Sequence, residues 1–212
     1  MEHSAPALVT AASALGVQLI PAQAEQLLAQ LELLERWNRT HNLVGPGSPA
    51  EWLERHTLDS LAAARFLPPG KGFDVGSGAG FHGVPLAIAR PDCQLALVEP
   101  RDKRAAFLSN TVAALSLRNA TVVREHLEAS DEPGDAQFAV SRATLPLPVW
   151  LKLAATLLAP RGLAIAFLGL ESWRPDRIQA AAAEAGLVDP QLEPYAIGSQ
   201  PTRALALFRH PG

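Results

Sequence analysis

The chain contains little cysteine, no excess of positive charge and no long apolar run, and each absence excludes a class of protein. The single cysteine, Cys93, excludes an internal disulfide framework and is typical of a reducing compartment. Lysine and arginine number 18 against 21 aspartate and glutamate residues, so the chain lacks the basic balance of many nucleic-acid-binding proteins, although a local basic face stays open. The longest apolar run, GLAIAFLGL, suits a buried strand and is too short to span a membrane.

The amino-terminal stretch MEHSAPALVTAASALGV carries an acidic residue where a signal peptide has lysine or arginine. The 212 residues suffice for one substantial domain with an appendage, and a hydrophobic content of 48% is typical of an ordinary packed core. We therefore expect a cytoplasmic protein, a monomer that does not enter a membrane.

The residue pattern changes near residue 66, which predicts a helical extension over 1–66 and a second domain over 67–212. In the first part, Leu27, Leu31 and Leu34 recur with helical spacing on one face. The sequence SPAE at 48–51 has the form of a capping box and predicts the start of a helix that continues through Asp59.

The second part alternates between short apolar runs and helical segments. Five strands are expected, in GFDVG, QLALVEP, ATVVRE, QFAVSRA and GLAIAFLG, with helices between them and a final hairpin around 191–197 and 203–209. One of these helices, LPVWLKLAATLLAP, is expected to end at Pro160–Gly162. Strands that are apolar almost throughout and alternate with helices predict an α/β fold with a mostly parallel sheet covered on both faces.

A loop rich in glycine, GSGAGFHG at 76–83, follows the first strand. Ligands of such sheets bind at the carboxyl ends of the strands, which is where this loop lies. Counted from Gly76, the first glycine after the strand, the spacing is G-x-G-x-G rather than the dinucleotide pattern G-x-G-x-x-G, and no lysine followed by serine or threonine completes a Walker loop. Gly76, Gly78 and Gly80 would let the backbone approach a ligand closely.

Two acids flank this loop in the predicted fold. Asp74 precedes the first glycine, where its carboxylate would repel a pyrophosphate but suit a cation such as the amino group of a methionine moiety. Glu99 ends the second strand, where a carboxylate commonly binds ribose hydroxyls. The combination is the pattern of an S-adenosylmethionine site. A tight strand-to-helix turn without a ligand remains the structural alternative for the glycines.

Five segments in order resemble one family: WNRTHNL, RHTLDSL, DVGSGAGFHGVPLAIARP, KRAAFL and SRA. Together they resemble the bacterial small-subunit ribosomal RNA guanine-N7 methyltransferases, the RsmG (GidB) family, from about Trp37 to about Arg203. The resemblance implies a class I S-adenosylmethionine-dependent methyltransferase fold, Rossmann-like with a mostly parallel seven-stranded sheet, preceded by helices. It implies small-subunit (16S) ribosomal RNA or a ribosomal particle as partner.

The resemblance also assigns residues to the donor site. They are Asp74, Gly76, Gly78, Gly80 and Phe81 along the loop, Glu99 at the ribose, Leu127 and Glu128 near the adenine, and Arg142 of SRA beside the donor. Three positions depart from the family pattern: His82 in the loop, His126 before the Leu127–Glu128 position, and Leu168 at the end of the fifth strand.

For the acceptor pocket the candidates are Arg142, His56 and Asp59. Helical spacing places His56, Asp59 and Ser60 on one side of their helix, as a polar wall of the pocket or as a structural cluster that docks the helix on the sheet. For Arg142 the structural alternative is an ion pair with Asp135 or Glu99. N7 of guanine already carries an in-plane lone pair, so methyl transfer needs alignment and no general base. No metal is expected.

Other functions compatible with the glycine loop are a class I methyltransferase acting on a small molecule or a protein, and a non-catalytic module that binds adenosine compounds. A dehydrogenase is a weaker alternative. Turnover without RNA would favour the first, donor binding without transfer the second, and preference for a nicotinamide cofactor the third.

Overall fold

The computed structural model describes residues 4–129, 134–142, 145–198 and 202–212. The helices are α1 (Ala5–Ala14), α2 (Pro21–His41), α3 (Pro49–Trp52), α4 (Leu58–Ala64), α5 (Gly83–Ala89), α6 (Asp102–Ala114), α7 (Leu147–Leu157) and α8 (Pro175–Glu184). The strands are β1 (Gly70–Val75), β2 (Cys93–Val98), β3 (Ala120–Val123), β4 (Ala136–Ser141), β5 (Leu158–Gly169), β6 (Val188–Tyr195) and β7 (Arg203–Arg209).

The seven strands form one sheet in the order β3-β2-β1-β4-β5-β7-β6. The first five are parallel, and β7 is antiparallel to both β5 and β6. This confirms the predicted mostly parallel seven-stranded sheet and its terminal hairpin. The chain reverses its direction of winding between β1 and β4, so these two strands form the switch point at which α/β sheets bind ligands.

Two apolar clusters cover the two faces of the sheet. Along β5, Leu163 and Ile165 belong to one cluster, whereas Ala164 and Ala166 belong to the other, as the two-residue period of a strand requires. Helices α1, α2 and α4 pack with α5 and α6 on the first face, and α7 and α8 cover the second. Leu27, Leu31 and Leu34 of α2 are fully buried there, which confirms the predicted apolar face of that helix.

The helix that begins at α3 differs in one detail from the prediction. Ser48 and Glu51 form the capping box, but a π-helical turn over Leu53–Thr57 separates α3 from α4. Such a turn hydrogen-bonds with five-residue spacing, which leaves no signature in the pattern of apolar residues. It ends two residues before Asp59.

The end of α7 also differs, because the helix stops at Leu157 and β5 already starts at Leu158 instead of after Pro160–Gly162. Leu158 pairs with Ala136 of β4, so this pairing across the sheet extends the strand backwards by several residues. Among the described residues, no helix is both long and apolar enough to cross a membrane.

Candidate functional site

The glycine loop lies at the carboxyl end of β1, at the switch point of the sheet. Gly76, Gly78 and Gly80 have φ angles of 76°, 60° and 73°, a region that favours glycine. A Cβ on Gly78 would meet only the Gly76 carbonyl, at 3.8 Å, so the backbone here is bare on its outer side. Gly80 is closely packed instead, because a Cβ there would lie 2.8 Å from Val84 and 2.9 Å from Leu108.

Both flanking acids are buried and hold the backbone of the loop. Asp74 is 1% exposed and accepts a hydrogen bond from the Gly83 N–H at 2.9 Å. Glu99 accepts from the Gly78 N–H and from the Arg101 N–H, each at 2.9 Å, through different carboxylate oxygens. A carboxylate oxygen can accept more than one donor, so both oxygens of Glu99 retain capacity for a ribose hydroxyl.

Burial has a marked effect on Asp74. Loss of hydration raises the pKa of this carboxyl to about 6, against the lowering effect of its hydrogen bonds with Ser77 and Gly83. The nearby Glu99 carboxylate raises the pKa further, because two like charges disfavour ionisation. A cation placed beside Asp74 would therefore relieve an unfavourable charge.

The amino-terminal helices support this loop directly. Gln30 of α2 is fully buried, and its Nε2 donates to the Gly80 carbonyl at 2.7 Å. Gln23 and Gln26, on the same helix, donate to the carbonyls of Ile88 and Leu115. Sequence reasoning missed these three residues, because a glutamine on a helix gives no signal of a carbonyl partner distant in the chain.

A buried ionic cluster lies at the ends of β4, β6 and β7. Asp59 is 2% exposed and forms ion pairs of 2.8 Å with Arg142 and with Arg203. The Tyr195 hydroxyl donates to Asp59, and burial together with the Asp59 charge raises the pKa of this phenol far above its usual value. One buried carboxylate thus faces two guanidinium groups at this edge of the sheet.

Arg142 therefore pairs with Asp59 and not with Asp135 or Glu99, the partners that the structural alternative proposed. Asp135 lies in an exposed ion pair with Lys71 at 2.6 Å, and Glu99 accepts hydrogen bonds from the backbone amides of Gly78 and Arg101. Tyr195 and Arg203 were missed as site residues. They come from the terminal hairpin, and only the antiparallel return of β7 brings them beside α4.

The two histidines at this edge, His56 and His82, are neutral, and each has a ring nitrogen close to Arg142. Its Nη1 lies 3.1 Å from His56 Nδ1 and 3.4 Å from His82 Nε2, and a guanidinium can only donate. His82 Nδ1 therefore carries the proton and donates to Ser60 Oγ, at 2.5 Å. Burial, followed by the charge on Arg142, lowers the pKa of His56 to about 4 and that of His82 well below its usual value.

Phe81 joins the glycine loop to this cluster. Its ring centroid lies 4.2 Å from that of His56, with 32° between the planes, and 6.1 Å from that of Trp52 in an edge contact. The structure thus brings together His56, Asp59, Phe81 and Arg142 of the predicted site. His82, a departure from the family pattern, lies inside the same cluster.

The remaining predicted residues lie along the same edge but outside this cluster. Leu127 and Glu128 follow β3, with Leu127 packed against the second apolar cluster and Glu128 exposed. His126 is exposed, and Leu168 packs from the end of β5 against the second cluster.

These residues fit an S-adenosylmethionine molecule on structural grounds. The bare backbone at Gly78 leaves room for a ligand at the switch point, Glu99 offers acceptors for the ribose, and the buried Asp74 offers a negative charge. No lysine follows the loop to bind a phosphate. The site therefore suits a nucleoside that carries an amino acid better than one that carries a polyphosphate.

Comparison of the sequence with known families and proteins agrees with this chemistry. The sequence model of the family described as GidB, rRNA small subunit methyltransferase G, matches residues 23–188. The chain is 41% identical over 172 residues to the ribosomal RNA small subunit methyltransferase G of Stenotrophomonas maltophilia, covering 80% of this chain and 81% of that protein. It is 37% identical over 205 residues to the protein of the same name from Xanthomonas euvesicatoria, covering 95% of each.

Solved structures with the same fold are distant in sequence. Magnesium protoporphyrin IX methyltransferase from Synechocystis, solved with bound SAM, superposes with a TM-score of 0.61 at 13% identity, covering 83% of this chain and 90% of that one. TYW2 from M. jannaschii, in complex with AdoMet, superposes with a TM-score of 0.57 at 14% identity, covering 73% and 74%. Both have the class I methyltransferase fold predicted from the sequence.

Proposed function

Because the chain belongs to the rRNA small subunit methyltransferase G family, we propose that it transfers a methyl group from S-adenosylmethionine to N7 of a guanine in small-subunit ribosomal RNA. The observation that carries the proposal is the family match over residues 23–188. That range contains the glycine loop, both flanking acids and the Asp59–Arg142 ion pair. We further propose that the protein acts as a monomer in the cytoplasm, and light scattering on the purified protein tests the monomer.

In this proposal Asp74, Gly76, Gly78, Gly80, Phe81, Glu99, Leu127 and Glu128 hold the donor, and Arg142 lies between the donor and the acceptor. When bound, the donor supplies an electrophilic methyl group on a sulfonium. The protein's part is to hold both reactants in line, which is an effect of orientation.

The neutral histidines suit this chemistry. N7 attacks through its own lone pair, so no side chain has to remove a proton from it. His56 and His82 therefore serve as fixed hydrogen-bond acceptors for Arg142. Positive charge develops on the purine during transfer, and groups that favour this charge lower the barrier more than they strengthen ground-state binding.

The test is a transfer assay with purified protein and labelled S-adenosylmethionine. The acceptors are small ribosomal subunits and naked small-subunit RNA that lack the modification. We expect label in the RNA, and nuclease digestion followed by mass spectrometry should yield 7-methylguanosine. Label in a protein or a small molecule, with none in RNA, would instead support the alternative acceptor classes.

A further inference from the structure

A small cleft beside the glycine loop has the chemistry of a base-binding pocket. It has a volume of about 140 Å³ and lies between residues 44–47 and the helix that contains the π turn. Its side chains include Glu51, Trp52, Arg55, His56 and Phe81. Phe81 also belongs to the glycine loop, so the cleft opens next to the donor site.

The aromatic wall of the cleft consists of uncharged rings in mutual contact. The Phe81 ring lies against the ring of His56 and makes an edge contact with Trp52, with the centroid separations given above. His56 stays neutral at physiological pH, because burial and Arg142 hold its pKa at about 4. Stacking on such side chains is the usual way in which proteins hold an unpaired RNA base.

The opposite wall is formed by the backbone of residues 44–47. Asn38 Oδ1 accepts from the Val44 N–H at 2.9 Å, and Arg104 donates to the Leu43 carbonyl at 3.2 Å. A Cβ on Gly47 would collide with the Trp52 indole, so this glycine is needed for the loop to lie so close. The cleft is therefore held open by contacts with both α2 and α6.

Glu51 gives the cleft selectivity for a purine edge. Its Oε2 accepts from the Ser48 N–H at 2.9 Å and from Ser48 Oγ at 3.1 Å, which fixes the carboxylate in the wall. These bonds also lower its pKa, so the group is ionised at neutral pH. A carboxylate accepts the N1–H and N2–H₂ donors of guanine, whereas adenine presents an unprotonated N1 that such a group repels.

The geometry points to this cleft as the subsite for the acceptor guanine, placed beside the rings of Phe81 and His56 with its Watson–Crick edge on Glu51. N7 lies across the ring from N1, so this orientation turns N7 away from Glu51. Arg55, at the exposed rim, supplies a positive charge for the adjoining RNA backbone. The assignment rests on the proposed function, since it names the place where that reaction's acceptor binds.

The experiment compares RNA carrying guanosine with RNA carrying inosine, which lacks the 2-amino group, at the nucleotide that the wild-type protein methylates. The wild-type protein should prefer guanosine in kcat/KM by about 10-fold to 100-fold, the value of one charge-assisted hydrogen bond. Glu51→Gln should bring this ratio close to one and raise the KM for RNA. Its Kd for S-adenosylmethionine should stay within about twofold of the wild-type value, because the donor does not contact Glu51 in this assignment.

Ser48→Ala is the matched control, because it removes the serine hydroxyl of the same capping box but keeps the backbone N–H at position 48, which still holds the Glu51 carboxylate. It should keep the preference for guanosine. Because both substitutions alter the same capping box, the two variants can be compared at similar thermal stability, which their melting temperatures measure. A Glu51→Gln variant with the wild-type preference and KM would overturn the subsite alone. A wild-type protein that methylates no guanine of small-subunit RNA would overturn the proposed function as well.

Discussion

At the scale of single residues, the site depends on backbone conformation as much as on charged side chains. Gly78 shows this most clearly, because its φ of 60° and its bare outer side are both needed where the donor is expected. A side chain at this position would strain the backbone and enter the space in front of the loop. The effect of backbone strain alone can be measured at another glycine with a similar φ and no ligand space around it.

Gly78→Ala is expected to weaken S-adenosylmethionine binding by more than about tenfold, while the left-handed φ costs about 1 kcal/mol of folding stability. Gly186→Ala is the control, because Gly186 has a similar φ of 72° and open space around it, at the end of α8. It should lose similar stability and keep donor affinity. Calorimetric titration and thermal melting measure the two quantities, and equal donor affinities in both variants would contradict the assignment of Gly78.

The negative charge of Asp59 compensates two arginines in the buried ionic cluster. Asp59→Asn leaves two guanidinium groups without their buried carboxylate, so we expect it to lower the free energy of unfolding by about 3 kcal/mol and to reduce methyl transfer. Asp135→Asn breaks an exposed ion pair with Lys71 of similar length and should cost about 1 kcal/mol or less. Chemical denaturation measures both, and similar losses in the two variants would count against the buried cluster.

Asp74 should couple donor binding to pH. A folded-state pKa near 6 lies above the unfolded value of 3.8, so this group adds stability to the free protein as pH falls from 7 towards 4. A cationic donor favours the ionised form, so binding near pH 6 should release a proton and weaken as the pH falls below 6. Titrations in two buffers of different ionisation enthalpy measure the proton release, and Asp74→Asn should abolish it. Release that persists in this variant would assign the proton to another group.

At the scale of the elements, α2 has a role that its sequence does not indicate. The sequence predicts an amphipathic helix, whereas the structure shows that this helix contacts the site. Its apolar face is buried as predicted, but its glutamines reach the backbone of the sheet domain. Gln30 contacts the glycine loop itself, whereas Gln26 contacts the end of α6. Substitutions at these two residues can therefore distinguish support of the glycine loop from packing of the helix.

Gln30→Leu should weaken S-adenosylmethionine binding by about tenfold, because the Gly80 carbonyl loses its donor. Stability should change little, since the substitution also removes a buried Oε1 that has no partner among the described residues. Gln26→Leu, which removes an equivalent bond to Leu115, should leave donor affinity unchanged. Equal affinities in the two variants would show that α2 does not position the loop.

At the scale of the whole molecule, the helices of the predicted extension and the sheet share one apolar core. The cluster on the first sheet face runs from Leu8 of α1 to Leu207 of β7. Loss of residues 1–66 would remove α1, α2 and α4 from that face and expose groups such as the fully buried Phe107, whose ring contacts Trp37 of α2. The division at residue 66 describes a change in the sequence pattern. Whether it also divides the chain into independently folding parts can be tested.

A fragment of residues 67–212 is expected to lack a cooperative thermal transition, because it would expose much of the apolar surface that stabilises the intact chain. Circular dichroism and binding of a hydrophobic dye, compared with the full chain, measure this. A fragment that melts cooperatively near the temperature of the full chain would mean that the sheet domain is stable by itself.

The sequence by itself determined the elements and the donor loop. Apolar periodicity predicts α2 and the strands, and the glycine spacing with Asp74 and Glu99 predicts the loop and its ligand class, because these signals are local or repeat with a fixed period. The mostly parallel seven-stranded sheet and the terminal hairpin agree with those expectations.

Only the tertiary structure decided which distant groups meet. Tyr195 and Arg203 reach Asp59 because β7 runs back along β5, and Gln30 reaches Gly80 because α2 lies across the loop. The π turn before Asp59 likewise left no periodic trace. Burial then sets the charge of Asp74 and His56, since the cost of removing a group from water depends on what the whole chain packs around it.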